Sequence, residues 1–434
     1  MRAVDLIVKK REGKALNPDE LDFLIQGFVR GEIPDYQMSA FCMAVYFKNM
    51  IEDEIIKCTE LMAKSGDMLD LSSIDGIKAD KHSTGGIGDT TTLILAPLLA
   101  SSGIKVAKMS GRALGYTGGT IDKLESIPGM QTNIGKDSFL RQVREIGIAV
   151  AAQSENMVPA DKKLYTLRDV TGTIESIPLI ASSIMSKKIA CGSEIIALDV
   201  KVGSGAFMKT IETAKELSQI MVQIGNKMHR KIIAVVSDMN QPLGMSIGNS
   251  LEVSEAIQVL RGEKKGRLLE LVNILGTQIL LAADKAKTIE EASQILRDNL
   301  EKKQALRKMA EMIKAQNGDE RVLEDLSLLP QAKYKMSIRA EKDGHFIISD
   351  TELLGKIAML LGAGREHKNS QIDLSVGIKI MTENISWVKE GEIIIEIHYN
   401  DEKKLKNVLP EIKKAYYISE NKISQNPLIY GIYS

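Results

Sequence analysis

The 434-residue sequence predicts an α/β protein in which a helical domain precedes a larger mixed-sheet α/β domain and a C-terminal α+β subdomain. Three observations predict it. The first 66 residues space their apolar side chains at helical intervals. From Asp80 onward, short apolar strands alternate with amphipathic helices. From about Lys333 the texture changes again, with strand alternation in SWVKEGEIIIEIHYN and the look of a smaller α+β domain.

In the helical unit, Asn17 followed by Pro18 has the form of an N-cap and first turn, opening a helix through Phe28 that Gly31 and Pro34 break. Residues 35–48 and 51–65 give two more helices, and 66–79 lead out of the unit. DTTTLILAPLLASSG then predicts a helix capped by Asp89 and ended by Gly103. IKVAKM predicts a strand, DSFLRQVREIG a helix, IAVAAQ a strand, IIALDVKVG a strand, residues 212–229 a helix and IIAVVS a strand. Strands alternating with helices imply a sheet that is at least partly parallel. Helix-like sequence over 155–195 interrupts the alternation, as if the chain returned to the first unit. The expected domains are therefore 1–65 with 163–193, 80–154 with 197–330, and 331–434.

Fifty-seven Lys and Arg balance 57 Asp and Glu, which argues against nucleic-acid or anionic-membrane partners. Three scattered cysteines, Cys42, Cys58 and Cys191, form no CxxC pair, so neither a disulfide framework nor a zinc knuckle is expected. The N-terminus lacks a signal-peptide core, and the longest apolar run, around 93–99, suits a buried helix. A reducing cytoplasm is the expected setting.

Two glycine-rich elements flank the helix after Asp89. Residues 110–129, SGRALGYTGGTIDKLESIPG, hold five glycines and four serine or threonine hydroxyls. Such a segment adds little to a core, but lets backbone N–H groups approach a ligand closely. Residues 81–89, KHSTGGIGD, are neither a Walker A loop nor GxGxxG, since Thr91 stands where the last glycine belongs. On spacing alone this is a glycine turn entering a helix, either a tight turn or an anion cradle. Unpaired N–H groups near Asp89–Thr92, with Lys81 and Ser83, would suit an anion. His82 lies inside this loop, where a pKa near neutrality fits proton transfer. The remaining histidines, His229, His345, His367 and His398, sit in charged or surface-like sequence and form no HxH or HExxH pair.

The segment 110–129 resembles the signature of thymidine and pyrimidine-nucleoside phosphorylases at its glycines and at Ser110, Arg112, Thr117, Thr120, Asp122, Lys123 and Glu125. KHSTGGIGD is similar to that family's phosphate loop. LRDVTGTIESIPLIASSIMSKK and the tail follow its layout, so the resemblance spans essentially the whole chain. It implies a nucleoside phosphorylase/phosphoribosyltransferase type of fold and a cytoplasmic homodimer. The implied reaction is reversible phosphorolysis of uridine, thymidine or deoxyuridine to the free base and a pentose 1-phosphate.

By the same resemblance, Lys81, His82, Ser83, Thr92, Ser110 and Thr120 belong to the phosphate site. Arg168, Ser183 and Lys187 contact the pyrimidine, with His82 near its O2, so His82, Arg168 and Lys187 are the implied catalytic residues. A potassium ion is implied at Gly88, Thr90, Leu243, Ser246 and Glu255, with Ser246 acting through its carbonyl; no organic cofactor is implied. Lys108, where narrower thymidine phosphorylases typically have methionine, points to the broader pyrimidine enzymes and would reach the phosphate or the ribose 2′ side. Without the family pattern, Arg168 reads rather as a surface partner of Asp169 or Asp161 and Lys187 as a solvated helix end; the lesser alternative for Lys108 is a strand-end surface lysine.

Two alternatives stay open. One is a phosphoribosyltransferase of the anthranilate type, for which Asp122 and Glu125 offer carboxylates. The other is a non-catalytic nucleoside-binding or carrier protein. SWVKEGEIIIEIHYN resembles a biotinyl or lipoyl carrier domain but holds no MKM or DKA lysine, which leaves it a scaffold.

Overall fold

The computed structural model describes residues 1–434 apart from 113–115, 117, 366, 368, 369 and 422. Four helices open the chain: α1 (Ala3–Arg11), α2 (Pro18–Arg30), α3 (Asp35–Lys48) and α4 (Glu52–Ala63). The Asn17–Pro18 start is a full capping box. Asn17 Oδ1 accepts the Glu20 N–H at 2.9 Å and the Glu20 carboxylate accepts the Asn17 N–H at 2.7 Å. Gly31 closes the helix at φ +79°, a left-handed conformation that favours glycine.

The α/β region runs β1 (Lys78–Ser83), α5 (Thr91–Ser101), β2 (Lys105–Ser110), α6 (Thr120–Leu124), α7 (Lys136–Ile146) and β3 (Ile148–Ala152). Two helices, α8 (Pro159–Val170) and α9 (Ile177–Ala190), then pack against α2 and α4 before the chain resumes with β4 (Ile195–Val202), α10 (Ile211–Lys227) and β5 (Lys231–Asp238). After β6 (Ser246–Ile247) come α11 (Asn249–Leu260), α12 (Arg267–Ala282), α13 (Ile289–Glu301) and α14 (Gln304–Ala315). The tail holds β7 (Tyr334–Arg339), β8 (Gly344–Ile348), α15 (Thr351–Ala358), β9 (Gly377–Ile380), β10 (Trp387–Val388), β11 (Ile393–Tyr399), α16 (Glu402–Ile412), β12 (Tyr416–Ser419) and β13 (Ile429–Tyr433).

The main sheet has the order β13-β5-β4-β1-β2-β3, parallel except for antiparallel β13. Strand alternation divides its side chains between two cores. Val106, Val150, Ile195, Ala197 and Val235 join the core under α5 and α11–α14. Ala107, Ala149, Ile196, Leu198 and Val236 share the core of the N-terminal helices.

Two antiparallel sheets, β10-β8-β12 and β6-β9-β11-β7, make up the tail. The expected division at residue 331 is crossed twice. β6 pairs with β9, and the last strand, β13, returns to the edge of the main sheet beside β5. The carrier-like run is likewise split, β10 and β11 lying in different sheets.

The chain runs from β1 out to β3, then re-enters on the other side of β1 as β4. Strand order reverses between β1 and β4, so the carboxyl ends of these two strands border the crevice where open α/β sheets bind ligands.

Candidate active site

The end of β1 supplies Lys81, His82 and Ser83, and the neighbouring end of β4 supplies Asp199 and Lys201, with Ser83 in register with Asp199. Residues two apart on a strand share a face, so Lys81 and Ser83 stand beside Asp199 and Lys201. Lys81 Nζ lies 3.3 Å from Asp199 Oδ2 and 3.7 Å from Asp89 Oδ2. Lys201 Nζ lies 2.7 Å and 3.9 Å from the same two atoms. Ser237 Oγ donates to Asp199 Oδ1 at 2.6 Å, and Ser83 Oγ to Asp89 Oδ2 at 2.6 Å. Burial pushes the Asp89 carboxyl up, but the ammonium groups of Lys81 and Lys201 outweigh it and hold the carboxyl well below the usual range.

This arrangement corrects one expectation. Thr90, not Asp89, is the N-cap residue of α5, and the Asp89 side chain reaches past it to accept the Thr91 N–H at 3.1 Å. An internal carboxylate therefore already answers part of the helix start that the sequence left open for an anion.

On the other side of β1, Asp80 Oδ2 meets Lys188 Nζ of α9 at 2.6 Å and Asp80 Oδ1 meets Lys108 Nζ at 3.4 Å. Lys108 Nζ also donates to the Lys81 carbonyl. The lysine is fully enclosed rather than a surface strand end, and its ammonium turns toward Asp80. Burial pulls Lys108 down to about 8, with Asp80 opposing and Lys188 and Lys81 adding to the fall. His82 stands among these groups. Burial, then the positive charges of Lys188, Lys108, Lys187 and Lys81, hold its imidazole well below its ordinary value, so it is neutral at pH 7.

Ser110 ends β2 at the same edge of the sheet, Thr92 is buried in the first turn of α5, and Thr120 opens α6. Lys123 ties α6 to the glycine loop, donating to the Asp89 carbonyl at 2.9 Å and pairing with Glu252 at 2.6 Å. Thr117 lies outside the described residues. Asp122 and Glu125 are engaged by arginines: Arg112 meets both, and Arg365 of the tail reaches Asp122 at 2.8 Å. Neither carboxylate stands ready for a metal–diphosphate.

The predicted base-site residues lie on α8 and α9. Lys187 Nζ donates to Ser183 Oγ at 2.9 Å and to Asp161 Oδ2. Lys187 and Ser183 thus come together, one helical turn apart. Arg168 is buried, and its guanidinium pairs with neither Asp161 nor Asp169. It donates to the carbonyls of Thr173 (3.1 Å), Ile174 (2.7 Å) and Leu179 (3.1 Å). Because Lys188 reaches Asp80, the adjacent Lys187 sits close enough to His82 to act on its protonation.

A cluster of oxygens lies where the glycine loop meets the segment before α11. A Cβ on Gly88 would stand 3.1 Å from the Ser246 carbonyl oxygen, and one on Gly244 would stand 2.8 Å from Glu255 Oε2 and 3.2 Å from the Gly88 carbonyl oxygen. The Leu243 N–H donates to Ile87 O at 3.1 Å, holding the two segments together. Thr90 Oγ1 and Glu255 Oε2 are buried with no hydrogen-bond partner among the described residues. Carbonyl, hydroxyl and carboxylate oxygens suit a hard cation, and such orphaned acceptors fit one.

The sequence reading offered Asp161 to Arg168 rather than to Lys187, and it missed Asp80, Lys188, Asp199 and Lys201. A signal existed for two of them: IIALDVKV puts an aspartate and a lysine two apart in an otherwise apolar strand, where charges must be paired. His398, expected at the surface, is buried with Nε2 2.6 Å from Glu396.

Comparison with known proteins identifies the family. Residues 75–306 match the family model of the glycosyl transferase family a/b domain, and residues 4–66 its helical bundle domain. Residues 347–419 match the pyrimidine nucleoside phosphorylase C-terminal domain. The chain is 51% identical over 430 residues to a pyrimidine-nucleoside phosphorylase of Geobacillus stearothermophilus, with 99% of each covered. It is 50% identical over 424 residues to one of Staphylococcus aureus strain bovine RF122 / ET3-1, with 98% of each covered. In fold it is similar to the anthranilate phosphoribosyltransferase of Thermus thermophilus, with TM-score 0.60 and 17% identity over 73% of this chain and 99% of that one.

Proposed function

The chain belongs to the pyrimidine-nucleoside phosphorylases of the glycosyl transferase family, and from that premise we propose how its own residues carry the reaction. The reaction is reversible phosphorolysis of a pyrimidine nucleoside. Phosphate attacks C1′, the glycosidic bond breaks, and free base and a pentose 1-phosphate leave. Positive charge grows on the sugar and negative charge on the departing base, so the site has to answer both.

Lys81, Ser83, Thr92, Lys108, Ser110 and Thr120 hold the phosphate at the crevice between β1 and β4. The observation that carries this assignment is geometric: at the ends of β1 and β4 four buried lysines, Lys81, Lys108, Lys188 and Lys201, share three aspartates, and a dehydrated pocket with that excess of positive charge attracts a dianion. Arg168, Ser183 and Lys187 receive the pyrimidine and stabilise its developing anion. His82 enters neutral and donates a hydrogen bond toward O2. Once phosphate offsets the surrounding ammonium charge, its proton affinity rises. A single preorganised donor is worth roughly 10²–10³ in rate.

Potassium is the cation proposed for the carbonyls of Gly88, Leu243 and Ser246 with Thr90 and Glu255. When bound, it supplies positive charge that braces the glycine loop against the segment before α11.

Domain closure brings the two halves together. Its hinge lies where three chain crossings meet: the Asp67 N–H donates to Asn156 O (2.9 Å) and the Leu69 N–H to Ala190 O (2.8 Å). A Cβ on Gly66 would stand 2.0 Å from Asn156 O, so only glycine lets these segments approach. A homodimer through the helical unit is supported by the exposed Tyr36 and Phe47 (74% each) and Ile51. No helix among the described residues is long and apolar enough to cross a membrane. Cytoplasmic residence is proposed with it, in keeping with three buried, unpaired thiols.

The test is loss of uridine absorbance. Conversion to uracil in orthophosphate buffer, with none in phosphate-free buffer, is the expected result; intact uridine in both overturns the assignment.

A further inference from the structure

Beneath the glycine loop lies a lysine to which the reaction as assigned gives no part. Lys201 is fully buried, and among the described residues its ammonium is paired with the carboxylates of Asp199 and Asp89 alone. Although 2.7 Å from Asp199 Oδ2, it is not aligned with it as a hydrogen bond, and no other described acceptor takes its protons. The loop covers it: a Cβ on Gly86 would stand 3.5 Å from Lys201 Cγ, and the Lys201 N–H donates to Thr84 Oγ1 at 2.9 Å. Direct contact with a ligand is therefore closed to it.

Lys81 shares both carboxylates, at 3.3 Å and 3.7 Å. Two ammonium groups thus balance two carboxylates in a buried volume. A buried charge stripped of its partner is strongly unfavourable. For Lys81 to turn toward an incoming dianion, some other cation has to remain on Asp89 and Asp199. We propose that Lys201 is the positioning residue that does so. It stays on the two aspartates and thereby releases Lys81, and Ser83 with it, to the phosphate. This rests on the phosphorolytic reading for the identity of the anion, but not on turnover.

The experiment titrates the protein calorimetrically with inorganic phosphate and, separately, measures KM for phosphate and for uridine. In Lys201→Met, Lys81 alone faces two carboxylates. Phosphate Kd and KM are expected to rise about tenfold or more while uridine KM stays within about twofold. Asp199→Asn leaves two lysines on one carboxylate and acts in the opposite direction, tightening phosphate. The double variant Asp199→Asn/Lys201→Met restores one-to-one balance and returns phosphate Kd to within about threefold of the parent.

A merely structural ion pair would lower the melting temperature in all three variants without this reversal of sign. Unchanged phosphate affinity in Lys201→Met overturns the proposal, as does equal weakening by Asp199→Asn or failure of the double variant to recover. If Lys201→Met does not fold, the sign of the Asp199→Asn effect and the recovery in the double variant decide the matter. Parent protein that binds phosphate yet leaves uridine intact would sink the phosphorolytic reading while leaving this one standing.

Discussion

The anion floor and the base wall use the same kinds of side chain in different ways. On the floor, four lysines (Lys81, Lys108, Lys188, Lys201) meet three aspartates (Asp80, Asp89, Asp199), and apart from Asp89 in the loop and Lys188 on α9 all project from parallel strands. On the wall, Lys187 is matched to Asp161, but Arg168 is held by three carbonyls in and just beyond the turn between α8 and α9. Strands fix the floor whether or not a ligand is bound. The wall depends on a loop keeping its shape. Both sets of donors are occupied by the protein's own acceptors, but those of the proposed phosphate site stand mostly on strands, whereas the proposed base site leans on the turn that holds Arg168.

Breaking the wall is expected to cost most. Arg168→Ala unties the 173–179 turn and removes the proposed base contact with it, so kcat/KM should fall by roughly 10³, more than for Lys187→Ala, with His82→Ala smaller still. Steady-state kinetics on uridine checks the order; a dominant His82 effect beside near-normal Arg168→Ala would erase the contrast. Next in size is Asp161→Ala, which leaves Lys187 without its carboxylate. Uridine KM should rise about tenfold while phosphate KM holds, the mirror image of the Lys201 variants.

The floor has its own pH signature. Lys108 loses its proton as pH climbs through about 8, and phosphate is already a dianion there. Phosphate KM should therefore increase by a few-fold between about pH 7.5 and 9, and Lys108→Met should flatten that rise. A profile unchanged by the substitution would remove Lys108 from the anion site. The smallest effect concerns the proposed cation. Moving the protein from potassium to a bulky organic cation should lower the melting temperature by a few degrees, since a ligand at about 100 times its Kd adds roughly 2.7 kcal/mol. In Gly88→Ala, whose Cβ would crowd the Ser246 carbonyl, that dependence should vanish.

Much of this was legible in the sequence because local patterns carry it. Helical spacing, the Asn17 cap and the run of strands from Lys105 to Asp238 all rest on near neighbours. The return of β13 to β5 was not legible, since the five residues of β13 pair with a strand almost two hundred positions earlier and carry no mark of it. In the site, the lysine and hydroxyls of KHSTGGIGD announced themselves, while Asp199, which holds the lysine from β4, did not. Which carboxylate meets which ammonium is decided by sheet register, and Ser83 beside Asp199 is a tertiary fact. Arg168 shows the same limit: its type and place were readable, its carbonyl partners were not.

The central claim, that the crevice between β1 and β4 delivers phosphate to C1′ through Lys81, is tested most directly by phosphorus NMR of the protein with uridine and orthophosphate. A ribose 1-phosphate resonance should grow with the parent protein and stay absent over the same hours with Lys81→Met. Growth at the parent rate in that variant would contradict it.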